Sequence, residues 1–597
     1  MQDFISIYIA LQKIKEVVNI IMKRIVSSLL TTATMLSLVA CGGGNTNTSN
    51  PTETATESII ESTSESISSQ KETGNINDTI VFGIADNLPG IFHPLLASKT
   101  TDQDVNRIIF PSLMQLNESG ELVPYLAKSY EVSEDGLTLT FHLQENAVWH
   151  DNTPVTAEDV AYTIECITDP GFTGTAYSKV SSIVGADEYH NGKSDHVEGI
   201  KVIDEHTVSF TLSTIFAPAL SNIASRNILP KHIWKDIPVA EHENQAELMK
   251  APIGCGPYKM TENVEGQYVT LEANESYWDG TPKTPTLVFK VLSVDSILAE
   301  LKNGTVNVVS VRDLTGDDKA SLEKMGYNIT SFANNIYRYI GVNLRKPIFQ
   351  DKALREALYY ALDRESIVSS LLEGNGSVIN SPFLPASWAK EDTNRMVARG
   401  YDVEKAKEIL NEAGYTDSNG DNILESPDGT QLSFTYKIPT DSSLTEQVAL
   451  IVQQCWKEIG INIEIQSYEY GELAQIAIFN HDFDFYTLNC QFGDDPDIFQ
   501  WWHSSAATDE VGVPSFNFDG YKSETCDKLI EEARTTNDQA TRRELYNEAA
   551  RVIDEDAPMI FLYCQDNSYA YPQEMEGFAP YTFNVVYNIN NWTIPAK

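Results

Sequence analysis

The sequence predicts an α/β protein of several lobes behind an export segment. Three observations carry this: short runs in which apolar and polar residues alternate, amphipathic helices interspersed among them, and a length of 597 residues where one domain typically takes roughly 100–200. Strands and helices mixed along one chain build α/β lobes.

At the front, Lys23 and Arg24 precede an apolar stretch over residues 25–40, and the small residues before Cys41 complete the order of a secretory signal. A spanning helix needs roughly 20 apolar residues. This stretch is shorter and is interrupted by Ser27, Ser28, Thr31, Thr32 and Thr34. Met22 makes a more usual start for such a signal than Met1, so residues 1–21 read as an over-extended start. Residues 42–75 are rich in Gly, Asn, Thr, Ser and Glu and poor in large apolar side chains. They cannot offset their ordering entropy and are expected to form a disordered tether.

Farther along, Leu137, Leu139, Phe141 and Leu143 alternate with Thr138, Thr140 and His142 in a half-buried strand. Val208 to Leu212 repeats the pattern, as do Leu432, Phe434 and Tyr436. Asp351 caps a helix whose Leu354, Ala357, Leu358, Ala361 and Leu362 share one face. Asp402 caps another, with Ala406, Ile409, Leu410 and Ala413, ended by Gly414. Two more helices precede Pro558, one around Leu529, Ile530 and Ala533, the other around Leu545, Ala549, Val552 and Ile553.

Asp and Glu number 85 against 42 Lys and Arg, a net charge of -43 that argues strongly against a nucleic-acid partner. Besides Cys41, the cysteines are Cys166, Cys255, Cys455, Cys490, Cys526 and Cys564, widely separated and without a C-x-x-C pair. The common zinc and thioredoxin signatures are therefore excluded. A chain this long needs no staples, so mostly free, buried thiols are expected.

Catalytic motifs are missing. Residues 185–194 end in Gly192-Lys193-Ser194, but six residues separate Gly185 from Gly192 where a phosphate loop has four between its glycines. No G-x-S-x-G elbow or H-E-x-x-H pair occurs and the ten histidines are scattered, so an enzyme is disfavoured and no cofactor is expected. Asp417, Asn419, Asp421, Glu425 and Asp428 fall at positions one, three, five, nine and twelve of a calcium loop. The fit is partial: position six is Asn422 rather than Gly, and Asp428 is shorter than the usual Glu. A solvated polar turn before the strand at Leu432 is the preferred reading.

Several blocks, in one order, carry a resemblance. Val123-Pro124-Tyr125-Leu126 opens the first, which runs on through Asp135-Gly136-Leu137-Thr138 to Trp149-His150-Asp151 and Asp159-Val160. Ile228-Leu229-Pro230-Lys231-His232, Pro252-Ile253-Gly254-Cys255-Gly256-Pro257-Tyr258 and Leu271-Glu272-Ala273-Asn274 follow. Tyr339-Ile340-Gly341-Val342-Asn343-Leu344, then Arg355, Asp363 and Arg364, and finally Asp556-Ala557-Pro558 continue the series. From about residue 79 onward the chain resembles the family 5 extracellular solute-binding proteins of ABC importers. Likewise Leu38-Val39-Ala40-Cys41 resembles the lipobox of bacterial lipoproteins, which would make Cys41 a lipidated mature N-terminus. Most of the blocks read as structural: Gly254, Gly256 and Pro257 punctuate the backbone, and Trp149 and Trp278 belong to cores.

The resemblance implies a two-lobe, periplasmic-binding-protein-like fold (type II, cluster C) with an extra subdomain and a two-strand hinge. The corresponding division is a signal peptide over 1–40, a lipidated tether over 41–77, and a first lobe of 78–97, 230–333 and 566–597. Residues 98–229 form the extra subdomain and 334–565 the second lobe. The ligand signal lies in Gly493-Asp494-Asp495-Pro496-Asp497, followed by Trp501, Trp502 and His503. Peptide-binding relatives use an aspartate slightly upstream of an Asp-Pro or Glu-Pro pair to accept the ligand's α-amino group. Here the position three before Asp495 is Phe492, so either Asp494 takes the amine or the ligand has none. An Asx turn at Asp495-Pro496 accounts for Asp495 without the ligand. Trp501 and Trp502 are candidates for a stacking wall and His503 for a hydrogen bond. The family also places Asn87, Ile91, Phe92 and His93 at the cleft mouth. The expectation is a monomeric, lipid-anchored receptor on the extracellular face of the membrane, delivering a peptide or similar solute to ABC permease subunits. A surface sensor or pheromone receptor, or a receptor for an oligosaccharide or metal chelate, is the alternative.

Overall fold

The computed structural model of the protein describes residues 78–440 and 442–595. The export signal, Cys41 and the tether lie outside the described residues. The chain opens with strand β1 (Thr79–Ile84), helix α1 (Thr100–Ile109) and a ribbon of β2 (Met114–Leu116) and β3 (Leu122–Pro124). An antiparallel sheet follows, built from β4 (Ala127–Val132), β5 (Thr138–Leu143), β6 (Ile200–Asp204) and β7 (Thr207–Thr211) in the order β4-β5-β7-β6. Between β5 and β6 comes helix α2 (Ala157–Thr168). In β5 the alternation read from the sequence is physical: Leu139, Phe141 and Leu143 are buried, while Thr138, Thr140 and His142 are only half-buried.

Strands β8 (Tyr258–Val264), β9 (Tyr268–Ala273) and β10 (Thr286–Val291) form a meander beside β1, which pairs in parallel with β11 (Val308–Ser310). The second half of the chain holds β12 (Tyr327–Ala333), β13 (Ile336–Val342), α3 (Lys352–Tyr360), β14 (Gly376–Val378) and α4 (Val403–Glu412). After these come β15 (Ser433–Pro439), α5 (Ser443–Glu458), β16 (Asn462–Tyr468), β17 (Phe485–Gln491) and a short α6 (Phe499–Trp502). Helices α7 (Glu524–Arg534) and α8 (Gln539–Asp556) lead into the long β18 (Met559–Pro572). Capping follows the sequence: Asp351 accepts from Ala353 N at 2.9 Å, Asp402 accepts from Lys405 N at 2.9 Å, and Gly414 takes φ +87° beyond α4.

Strand β18 joins everything. Its first residues pair with β13 and β14, its last with β12 and β11, so one strand of 14 residues is shared by both ends of a 12-stranded sheet. The chain crosses between those ends a second time at Asn334 and Asn335. The two crossings lie side by side: Asn334 N donates to Gln565 O at 3.1 Å and its amide to Asn567 Oδ1 at 3.2 Å. Gln565, Asp566 and Asn567 are polar and partly exposed, flanked by buried strand on one side. A segment without apolar packing bends at low cost, which is the physical content of a two-strand hinge.

Residues of the recognisable blocks hold the scaffold. Asp159 accepts from Thr156 N (2.9 Å), Lys231 N (2.9 Å) and Trp149 Nε1 (3.4 Å), so one buried carboxylate caps α2 and joins blocks 72 residues apart. Trp149 is buried, and Trp278 packs edge-on against Tyr125. Gly254 and Gly256 lie against the end of α1. A Cβ on either would sit 1.9 Å from a backbone carbonyl, that of Ile109 or Ile108 respectively. Gly256 N donates to Ile109 O at 2.9 Å, so the close approach satisfies an otherwise orphaned helix-end carbonyl. The six described cysteines are free, all buried except the half-buried Cys455. Burial pushes the thiols of Cys166, Cys490 and Cys564 up to about 12.

The described chain from Ile80 to Ile594 is one compact unit; of the other, only Asp78, Thr79 and Pro595 are described. Gly256→Ala should destabilise the protein by about 1–3 kcal/mol or more, because the Cβ meets backbone rather than a yielding side chain. A urea midpoint unchanged from the parent would contradict this.

Candidate functional site

The site begins where β17 ends. Phe492 N donates to Asn335 O at 3.1 Å, and the Phe492 ring stacks on Tyr337 at 5.8 Å. That anchorage projects residues 493–497 from the strand end. Asp497 caps α6 by accepting from Phe499 N at 3.1 Å and pairs with Arg534 at 3.2 Å. Asp495 accepts two bonds from Arg542, at 2.8 and 2.9 Å, in a bidentate pair whose side chains are 9% and 7% exposed. The Asx turn expected at Asp495 gives way to this pair. Burial opposes the charge on Arg542, but Asp495 more than compensates and holds the guanidinium above its usual range. Arg542 also lies over the Trp388 ring at 5.1 Å, which ties a second loop to the first.

These loops border a small cavity. Leu116 and Gly120 of the β2–β3 ribbon form one wall, with Phe583 beside them. Leu384, Trp388 and residues 492–494 form the other. Asp494 is half-buried here and accepts no hydrogen bond among the described residues. Arg226 and Tyr581 lie within its electrostatic reach.

The remaining sequence-predicted residues are not gathered around this cavity. Phe92 is 1% exposed and packs in the main core. His93 is buried with its ring 4.6 Å from Trp234 and 5.4 Å from His242; burial, aided by His242, pushes it down to about 3. The loop between them and β1 is pinned by Asp102, which accepts from Gly90 N and Ile91 N, leaving Asn87 exposed and Ile91 half-buried. Trp502 is buried edge-on to Tyr521 and close to Phe561, whereas the half-buried Trp501 meets Phe518 and Phe516. His503 stacks on Phe499 at 4.2 Å, its Nδ1 accepts from Ser505 N, and its Nε2 faces Glu531 at 3.2 Å. Both ring nitrogens are thus engaged within the second half of the chain.

In the calcium-like loop, Asp417, Asp421 and Glu425 offer oxygens within 4.8 Å of one another. Local donors already occupy them: Gly420 N and Asn422 N on Asp417, Gln431 on Asp421, and Ser418 N and Asn419 on Glu425. Asp428 instead orders the next turn with Ser426 and Thr430. The result is a polar turn whose carboxylates are bonded by its own backbone and side-chain donors.

With this geometry in view, comparison with known proteins identifies the class. Residues 121–510 match the family described as bacterial extracellular solute-binding proteins, family 5, middle region, and the chain belongs to that family. Over 520 residues it is 31% identical to the oligopeptide-binding protein AppA of Bacillus subtilis, covering 86% of this chain and 91% of that protein. The dipeptide-binding protein of Escherichia coli is 27% identical over 500 residues, 81% of this chain and 89% of its own. The solved structure of Bacillus subtilis AppA in complex with a nonapeptide superposes with a TM-score of 0.68 at 30% identity, covering 87% of this chain and 99% of that one. The fold is therefore the two-lobe, periplasmic-binding-protein-like architecture with an extra subdomain and a two-strand hinge. These relatives are solute-binding transport proteins.

Asp494 and Asp495 should separate in experiment. Asp495→Ala strands a buried guanidinium and should cost about 3–5 kcal/mol of unfolding free energy. Asp494→Ala should stay within about 0.5 kcal/mol of the parent. Equal losses in urea titrations would show that both carboxylates are structural.

Proposed function

We propose that this protein captures a peptide in the cleft through its N-terminal ammonium on Asp494 and delivers it to an ABC importer. One observation carries the reading. Of three carboxylates in residues 494–497, Asp495 is matched by Arg542 and Asp497 by Arg534, while Asp494, at the cavity, accepts no hydrogen bond among the described residues. An ammonium is the chemical complement of such a carboxylate. A charged hydrogen bond contributes about 1.5–3 kcal/mol, a useful share of the roughly 8 kcal/mol of micromolar binding. The names of the relatives, oligopeptide-binding and dipeptide-binding, support the same ligand class. Binding is the whole chemistry, and the receptor acts as a monomer held at the outer face of the membrane by a lipid on Cys41. In this reading residues 78–97, 230–333 and 566–597 form one lobe, 98–229 its extra subdomain and 334–565 the other lobe.

Asp494→Asn keeps shape but removes charge, so affinity for peptides should fall by about one to two powers of ten, at about 1.4 kcal/mol per tenfold. N-acetylated peptides should bind poorly to the parent and lose little more in the variant. Calorimetry in which free and acetylated peptides bind alike would exclude the amine contact.

Cys41→Ala should release the protein from the membrane fraction, since lipid chains supply the anchorage. Retention of that variant on the membrane would reject lipidation at Cys41.

A further inference from the structure

We infer that Arg534 is a clasp between the two halves of the molecule: its guanidinium, held between Phe499 and Phe216, fastens the subdomain of residues 98–229 to the lobe of residues 334–565 when the protein is closed. The inference rests on the division into lobes given above and deepens it, and it needs no assumption about the ligand.

The two partners come from distant parts of the chain. On one side, the loop after β7 is anchored to its own subdomain, because Leu212 N donates to Leu137 O at 2.7 Å and Ser213 N to Ser182 O at 2.8 Å. That loop carries Ile215, Phe216 and Ala217, all half-buried, and Phe216 lies against the main core. On the other side is the C-terminal end of α7. Ala217 N donates to Arg534 O at 2.7 Å, so the subdomain satisfies a carbonyl that the helix itself leaves open. The guanidinium of Arg534 lies 4.8 Å from the centre of the Phe216 ring and 4.0 Å from that of Phe499, with Asp497 at 3.2 Å. A second contact flanks the first: a Cβ on Gly136, in the turn between β4 and β5, would sit 2.7 Å from Asn537 Nδ2 and 3.6 Å from Ile215 Cγ1.

This chemistry suits a contact that forms and breaks. A cation over an aromatic face is attracted more strongly as water is excluded, yet each side remains satisfied when the two part. Arg534 keeps Phe499 and Asp497, and Phe216 keeps the core beneath it. Separation therefore strands no buried charge. Asp497 also belongs to the loop that carries Asp494 to the cavity, so the residue that fastens the halves fastens that loop as well.

The test places spin labels on Thr214→Cys and Glu532→Cys, exposed positions on either side of the contact, in the full chain with Cys41→Ala. Pulsed electron paramagnetic resonance measures the distance between them, alone and with a mixture of di- to pentapeptides bearing free termini. The parent should show a short-distance population under at least one of these conditions. Phe216→Leu keeps apolar cover on the core but removes the aromatic face, and Arg534→Lys keeps the pair with Asp497 but loses the planar stack. Each should shift the ratio of short- to long-distance forms by about two- to thirtyfold toward the long one, the range that a cation–π contact spans. The double variant should shift it no further than the larger single effect, because both changes remove one contact. Unchanged distances in both variants, or shifts that add, would overturn the clasp. Variants that melt at lower temperature yet keep the parent's distances would overturn it too, since the contact is then only structural. Peptides that bind in calorimetry while the short distance never appears would overturn the clasp and leave peptide capture standing. A short distance lost in both variants, with no peptide bound, would overturn peptide capture and leave the clasp.

Discussion

Everything in this molecule hangs on a strand too long for one lobe. Strands usually run about 5–6 residues, but β18 has 14 and hydrogen-bonds to four others, closing the sheet of each half in turn. Its middle, Gln565 to Asn567, is polar and only partly buried. Residues 334 and 335 lie alongside that stretch, so the two connections between the halves run side by side. The loop at residues 493–497 inherits this arrangement directly, since Phe492 hangs from Asn335.

The charges of the loop at residues 493–497 divide the work. Asp495 and Asp497 fasten the loop to α7 and α8 through Arg534 and Arg542, and Trp388 is drawn in by the same guanidinium. Asp494 is thus positioned by neighbours on its own loop, and in the proposed reading the cost of ordering that loop falls on folding rather than on binding.

Much of the scaffold was legible because local rules and tertiary structure agree. The caps at Asp351 and Asp402, the alternation in β5 and the glycines at 254 and 256 each answer to a nearby physical demand. The cavity was less legible. Asp494 was singled out through the family resemblance, as the carboxylate next upstream of an Asp-Pro pair. Trp388 and Phe583 carry no pattern that sets them apart from core aromatics. Trp502 and His503 show the opposite failure. Residues close in sequence to such a loop attract a functional reading, yet at the end of a short helix successive side chains turn to different faces, and here those faces meet Tyr521 and Glu531. Phe92, placed at the cleft mouth by the resemblance alone, packs in the main core. The acidic run at Asp417 looked metal-like because turns and cation sites both favour Asp and Asn at alternate positions; the turn consumes those oxygens itself.

The buried thiols have a practical corollary. A thiol whose proton is held by burial contributes almost no thiolate at neutral pH, and thiolate is the species that alkylating dyes consume. Five of the six described cysteines are buried, and the half-buried Cys455 is also pushed upward by burial. A single cysteine introduced on the exposed side of the crossing at 565–567 would therefore be the preferred target for a fluorophore. The protein thus leaves few thiols of its own to compete for a label placed there.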